Sequence, residues 1–249
     1  MRAAPGFLTE REARFLALAT AGSPAQGTIL EIGSFKGKST VGLATVAAYY
    51  RLGPIVTVDP HTAPSVTDPD LGAQASSWED FQATLRAAGV QDAVEVHRAF
   101  SRDLARGWTR PIRFLWIDGD HTYQGTKEDI DLFRRHLADG AIVALHDVLH
   151  TFDGPIRVFV EELLGSDDFA AAGLCGSIGW AQYRPGNGAA WRGSRNALAR
   201  RAGRLVPLVR NGPELGGLTK LRYKLWRALV PHAAVEPEAW ARTVSRAAP

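Results

Sequence analysis

Apolar residues fall along the chain in two alternating rhythms. Short β-branched or aromatic runs occupy residues 27–32, 54–59, 93–98, 113–118 and 141–146. Between them, stretches at 37–50, 77–88 and 126–137 repeat their apolar positions every three or four residues, and a short helical turn falls near 101–106. Strands that are apolar on both faces and separated by helices predict a parallel sheet covered on both sides. Ile156, Phe159, Val160, Leu163 and Leu164 place a further helix at 154–164. Residues 168–183 then read as two strand pieces split at Cys175-Gly176-Ser177, a closing antiparallel hairpin. Near the start, Thr9 and Glu12 form a capping-box pattern ahead of Phe15, Leu16 and Leu18, which predicts a short amphipathic helix. Glu10, Arg11, Glu12 and Arg14 interrupt the apolar run a secretory leader would need, so none is expected.

Pro185-Gly186-Asn187-Gly188 breaks the pattern, and two helical segments follow at 194–204 and 218–230. In the second, Leu218, Leu221, Leu225 and Leu229 make one stripe, with Trp226 and Val230 beside it and Lys220, Arg222, Lys224 and Arg227 mostly off it. From Arg184 onward there are 13 Lys/Arg against 3 Asp/Glu; of the totals of 29 and 26 this leaves 16 against 23 in the first 183 residues. A mildly acidic body thus carries a basic tail. The expected organisation is a domain over 1–184 and a basic helical C-terminal extension over 185–249. The fold class is α/β: a Rossmann-like, doubly wound, mostly parallel seven-stranded sheet with its closing antiparallel hairpin. A chain of 249 residues can bury one substantial core, and the 45% hydrophobic share is that of a globular protein. No apolar run reaches the roughly 18 residues of a membrane span. The single cysteine, Cys175, excludes an internal disulfide framework, predicts a reducing cytoplasm, and reads as packing.

Candidate chemistry begins where the first strand ends, at Glu31-Ile32-Gly33-Ser34-Phe35-Lys36-Gly37-Lys38-Ser39-Thr40. Gly33 allows a sharp turn and close ligand approach. Glu31, an acid in an apolar strand, needs a partner, for which a cationic ligand group is a candidate. A dinucleotide fingerprint needs a second glycine where Phe35 stands, and a Walker A loop needs one more residue between Gly33 and Gly37, so both are set aside. At the end of the second strand, Asp59 can accept both hydroxyls of a ribose; its bland alternative is a turn before Pro60.

Four strings together carry a family resemblance: Glu31-x-Gly33-x-x-x-Gly37, Val58-Asp59-Pro60-His61, Trp116-Ile117-Asp118-Gly119-Asp120-His121-Thr122-Tyr123 and Leu145-His146-Asp147-Val148. Over about residues 27–184 the chain resembles class I S-adenosylmethionine (SAM)-dependent methyltransferases. It is most similar to small-molecule O-methyltransferases of the macrocin and caffeoyl-CoA kind, with cephalosporin-hydroxylase-type proteins sharing the pattern. The resemblance implies that Gly33 and Ser34 line the methionine part of SAM, that Asp59 binds the ribose, and that Phe100 and Ser101 border the adenine. Relatives often have a glycine and a polar residue where this chain has Ala99-Phe100, so Phe100 is expected to stack instead. The candidate cofactor residues are Glu31, Gly33, Ser34, Phe35, Ser39, Asp59, Phe100, Ser101 and Asp118.

The strand ends at Asp118 and His146-Asp147 should lie side by side beyond the sheet, together with Asp120 and His121. So many ionisable groups cost too much to desolvate without a use. Two mechanisms fit. In one, Asp118, His146 and Asp147 bind a divalent cation; oxygen ligands favour magnesium, while the histidine admits a softer metal. In the other, His121 or His146 is a general base. Asp118, His121 and His146 are thus the catalytic candidates. The bland readings are Asp120 as a helix N-cap, Tyr123 as packing, His61 and His150 as surface residues, and Glu128, Asp129 and Asp131 as a solvated helix face.

The expected function is methyl transfer from SAM to a hydroxyl of a small molecule, a sugar or polyhydroxylated natural product by resemblance. The alternatives are an RNA-directed or metal-independent methyltransferase, or a non-catalytic SAM-binding partner. For the tail, packing of the leucine stripe on the body or a second copy is the favoured expectation, giving a homo-oligomer. Peripheral contact with an anionic membrane is the second reading. Nucleic acid is disfavoured by the acidic body and the lack of a recognisable RNA-binding module.

Overall fold

A computed structural model describes residues 4–62, 76–209 and 215–245. Five parallel strands alternate with helices as the periodicity predicts: β1 (Thr28–Ile32), β2 (Ile55–Val58), β3 (Val94–His97), β4 (Ile112–Ile117) and β5 (Leu137–Leu145). The hairpin is β6 (Phe169–Cys175) and β7 (Ile178–Tyr183). The order across the sheet is β3-β2-β1-β4-β5-β7-β6, and β7 runs antiparallel to both its neighbours. The order reverses between β1 and β4, so a crevice opens beyond their carboxyl ends.

Side-chain alternation along the strands divides the interior into two cores. Leu30, Ile32, Val56, Val58, Leu115, Ile117, Val143 and Leu145 face one way. Ile29, Ile55, Phe114, Trp116, Ile142 and Ala144 face the other. Because the central strands are apolar on both sides, both faces must be covered. The first face receives α5 (Tyr123–Arg134) and α6 (Asp153–Val158), which continues as a π-helical turn at Phe159–Leu164. The second receives α1 (Glu10–Ala21) and α2 (Lys38–Tyr49). The helices α3 (Trp78–Ala88) and α4 (Ser101–Ala105) complete the body.

The capping box of α1 forms as predicted. The Thr9 side chain accepts from the Glu12 amide, and the Glu12 carboxylate accepts from the Thr9 amide at 2.9 Å. Helix α5 starts differently from expectation. Its N-cap is Thr122, whose hydroxyl accepts from Gly125 N at 3.1 Å, while Asp120 instead accepts from the Thr122 amide at 2.9 Å. Thr122 wins because it alone has the extended conformation directly before the first helical residue.

Beyond residue 184 the chain forms α7 (Arg192–Ala202), α8 (Gly217–Ala228) and an unforeseen α9 (Pro237–Ser245). These helices share the body's cores: Leu198, Ala202, Leu205, Tyr223 and Val230 join one, Trp240 and Val244 the other. Arg195 is 1% exposed, and its guanidinium donates to the carbonyls of Leu164, Phe169 and Gly188 and to Asp167. Of the two expected places for the leucine stripe, the body and a second copy, the first fails here. The leucine stripe of α8 does not pack on the body: Leu218, Leu221, Leu225 and Leu229 are 79%, 64%, 58% and 52% exposed. Tyr223, Trp226 and Val230 face inward instead.

Candidate active site

Gly33 stands where the sheet order reverses. Its φ is +86°, and a Cβ there would overlap the backbone carbonyl of Asp118. The next turn is set by Asp59, whose Oδ2 accepts from Ser34 N at 2.9 Å and Phe35 N at 2.8 Å, while Oδ1 accepts from His61 N at 2.6 Å. Asp59 therefore first organises the loop. A carboxylate has about four lone-pair sites, so it keeps acceptor capacity toward the cleft it lines. Phe35, His61 and Asp147 all have left-handed backbones, φ +46°, +51° and +55°. Such conformations in residues other than glycine cluster at functional sites.

Two clefts meet at this loop. The first, about 440 Å³, is lined by Gly33, Asp59, Phe100, Ser101, Gly119 and Asp129, among others. The second, about 630 Å³, is walled by Phe7, Ser34, Lys38, His121, Asp147 and Phe152, among others. Gly33, Phe35 and Asp118 line both. The N-terminal segment closes over the second: Phe7 stacks on Phe35 with ring centroids 6.2 Å apart, and Lys38 Nζ donates to Gly6 O at 2.8 Å.

Glu31 lies beneath the loop and lines neither cleft. It is fully buried, accepts from Thr40 Oγ1 at 2.6 Å, and leaves its second oxygen without a hydrogen bond. Burial pushes its carboxyl up to about 7, against the nearby hydroxyls of Ser39, Thr40 and Thr57. Ser39 borders the second cleft, not the first. Phe100 is 46% exposed at the rim of the first, with the Arg102 guanidinium 4.4 Å from its ring centre.

Asp118, His121, His146 and Asp147 come together as predicted, but with different pairings. The donor atoms that converge within 4.8 Å belong to Asp118, His121 and Asp147. His121 joins the two aspartates in that set, while His146 Nδ1 is hydrogen-bonded to Asp118 Oδ1 at 3.0 Å and lies 3.3 Å from Asp147 Oδ1. His121 Nε2 lies 3.3 Å from Asp147 Oδ2, outside hydrogen-bond geometry, and both its ring nitrogens are buried without a hydrogen bond. Its ring stacks on Phe152, centroids 4.4 Å apart. Desolvation disfavours a charged His121, but Asp118 and Asp147 outweigh it and raise the imidazole to about 10. Desolvation likewise opposes charge on His146, and the same two aspartates together with Glu12 raise it well above its usual value. Burial raises the Asp147 carboxyl, but His146 and His121 prevail and hold it down at about 2. Two imidazoliums stabilised by carboxylates are poor bases at neutral pH, which counts against a simple histidine base.

A divalent cation fits this trio. Two carboxylates and an imidazole form a mixed oxygen–nitrogen donor set, and the unpartnered ring nitrogens of His121 are the kind of buried group that a ligand satisfies.

Glu12 is a site residue that sequence reasoning missed. Its Oε1 accepts from Ser177 N at 2.7 Å and Ser177 Oγ at 2.6 Å, and its Oε2 lies 3.9 Å from His146 Nε2. Burial raises its carboxyl, yet the nearby His146 imidazole and the hydrogen bonds from Ser177 and Thr9 outweigh this and hold it far below the usual range. Its capping-box role accounted for one oxygen only, and no local signal ties residue 12 to residue 177. Two further residues depart from expectation. His61 is 1% exposed, not a surface residue; its Nδ1 lies 2.9 Å from Ser77 Oγ and its ring packs on Phe81 and Trp78. Asp129 is 5% exposed at the base of the first cleft, while Glu128 and Asp131 are solvated as predicted.

Residues 30–148 match a family model described as a methyltransferase domain. Over that stretch the chain is similar to methyltransferase domains, and its glycine loop stands where the sheet order reverses. Solved structures share the fold. The O-methyltransferase NovP superposes with a TM-score of 0.58 at 14% identity, covering 70% of this chain and 80% of its own. An O-methyltransferase from Bacillus cereus, in complex with SAH, gives 0.55 at 20% identity, covering 73% and 85%. TomG, an O-methyltransferase from Streptomyces achromogenes involved in tomaymycin synthesis and solved with SAM, gives 0.54 at 22% identity, covering 72% and 82%.

Proposed function

We propose that the protein transfers the methyl group of SAM to a hydroxyl of a small polyhydroxylated molecule. The observation that carries this reading is the meeting of two clefts at Gly33, Phe35 and Asp118. SAM occupies the first, its ribose on Asp59 and its adenine between Phe100 and Ser101. The orphan oxygen of Glu31 beneath the loop offers a counter-charge to the methionine ammonium through water. The acceptor occupies the second, where the stacked pair of His121 and Phe152 forms one wall. Asp118, common to both, orients the acceptor hydroxyl and takes up its proton as the methyl group moves in line.

Asp118, His121 and Asp147 are the residues that would hold a divalent cation. Such an ion would lower the pKa of a bound hydroxyl and orient a vicinal diol. The metal-independent reading rests on the high pKa of His121, whose imidazolium can balance the two aspartates by itself. Turnover before and after chelation, with magnesium or manganese restored, separates the two: chelator-resistant turnover selects the metal-independent form. The core reading is tested by titration calorimetry with SAM and by Asp118→Asn. SAM should bind the native chain, and Asp118→Asn should lower kcat by about 10²–10⁴-fold, the range for a lost proton acceptor. Native turnover in the variant would remove Asp118 from the chemistry.

A further inference from the structure

We propose that α8 is a docking surface for an anionic lipid bilayer. Leu218, Leu221, Leu225 and Leu229 form one continuous outward face, each more than half exposed. Exposure here does not come from a loosely held helix. Tyr223 Oη donates to the carbonyls of Leu149 and His150 at 2.6 and 2.8 Å, and Arg227 Nε donates to Leu149 O at 3.1 Å. Val230 is 2% exposed, and the Arg204 guanidinium lies 4.3 Å from the Trp226 ring centre. The inward face is fastened, and the leucines point away from it.

The charges beside the stripe select the occupant. Lys224 flanks it on one side and Arg222 on the other, both exposed, and no Asp or Glu occurs between residues 215 and 230. Lipid headgroup phosphates are the complement of this arrangement. Leucines enter the headgroup–acyl boundary while the longer basic side chains lie along it and reach phosphate. A second copy of the chain fits less well. An isologous contact through this face would set cations against the same cations with no acid on the helix to relieve them. On its own, a face of four leucines also falls short of the ~800 Å² per partner of a standard protein interface. No helix among the described residues is long and apolar enough to cross a membrane, so the contact is peripheral.

The test is co-sedimentation of the full-length protein with vesicles of phosphatidylcholine alone and of phosphatidylcholine with one-third phosphatidylglycerol. Partitioning should be at least about tenfold higher on the anionic vesicles and should weaken steeply between ~0.1 M and ~0.5 M salt. Leu221→Glu/Leu225→Glu and, separately, Arg222→Glu/Lys224→Glu should each remove most of that binding while the circular dichroism spectrum and Tm stay native. Equal partitioning on both vesicle types, no partitioning, or undiminished binding by the leucine variant overturns the proposal. So does a dimer in light scattering that the leucine variant converts to monomer, which would assign the face to a second copy. The lipid and salt dependence of the native chain stands as a test even where a variant folds poorly.

Discussion

At the scale of single residues, the site depends on a few positions with no tolerance for ordinary substitution. Gly33→Ala adds a methyl group into the Asp118 carbonyl at a backbone angle that L-residues avoid. The expected result is a loss of SAM affinity of at least about 100-fold by calorimetry, since the loop must move away from β4 to accept it. Asp129 supplies a pH dependence. Burial raises its carboxyl from 3.8 to about 7, opposed by Ser101 and supported by Glu128 and Asp120. The folded state therefore holds a proton that the unfolded chain releases. Its contribution to stability should fall as pH rises from about 4 through about 7 and level off above, by on the order of 2–4 kcal/mol. Asp129→Asn should flatten that slope in urea unfolding between pH 5 and 8; an unchanged slope would place the titration elsewhere.

At the scale of elements, the sequence was most readable where one periodicity governs a whole segment. All seven strands and the helices of the body fall within a few residues of their predicted positions, because strands buried on both faces leave continuous apolar runs. The failures come from partners distant in sequence. Helix α8 has two apolar faces, and periodicity shows a face without showing what it meets. Tyr223 and Trp226 turned inward since the Tyr223 hydroxyl could satisfy two loop carbonyls that leucine would have left bare. Asp129 and His61 were misread for the same reason, since their burial is created by neighbouring elements. The cluster of Asp118, His121, His146 and Asp147 is legible as neighbouring strand ends, but which imidazole lies against which aspartate depends on the packing. Glu12 is where two elements join, and Glu12→Gln is expected to lower stability by about 1–3 kcal/mol in thermal unfolding. The capping box tolerates Gln, so a neutral result would mean that the bonds to Ser177, not the charge, carry the effect.

At the scale of the whole molecule, the basic tail is part of the structure that it follows. Trp240 packs edge-on against Phe15 at 5.5 Å and Trp180 at 4.7 Å, and Gln182 Nε2 donates to Val244 O at 2.8 Å. Truncation after Tyr183 should therefore expose an aromatic cluster and give aggregated or molten protein, seen as lost near-ultraviolet circular dichroism. The intact chain should gain about 2.7 kcal/mol of stability at a SAM concentration of 100 times Kd, measured as a rise in unfolding midpoint.

The bonds of α1 have a consequence for how the molecule is made. This helix leaves the ribosome well before its partners, yet Glu12 finds Ser177 across 165 residues, and Trp240 reaches Gly22 O across 218. For most of synthesis α1 has an apolar face and a buried-type carboxylate with nothing to receive them. Native contacts so distant in sequence form late and slowly. The second cleft, whose wall includes the residues just before α1, is thus completed only once α9 has been made.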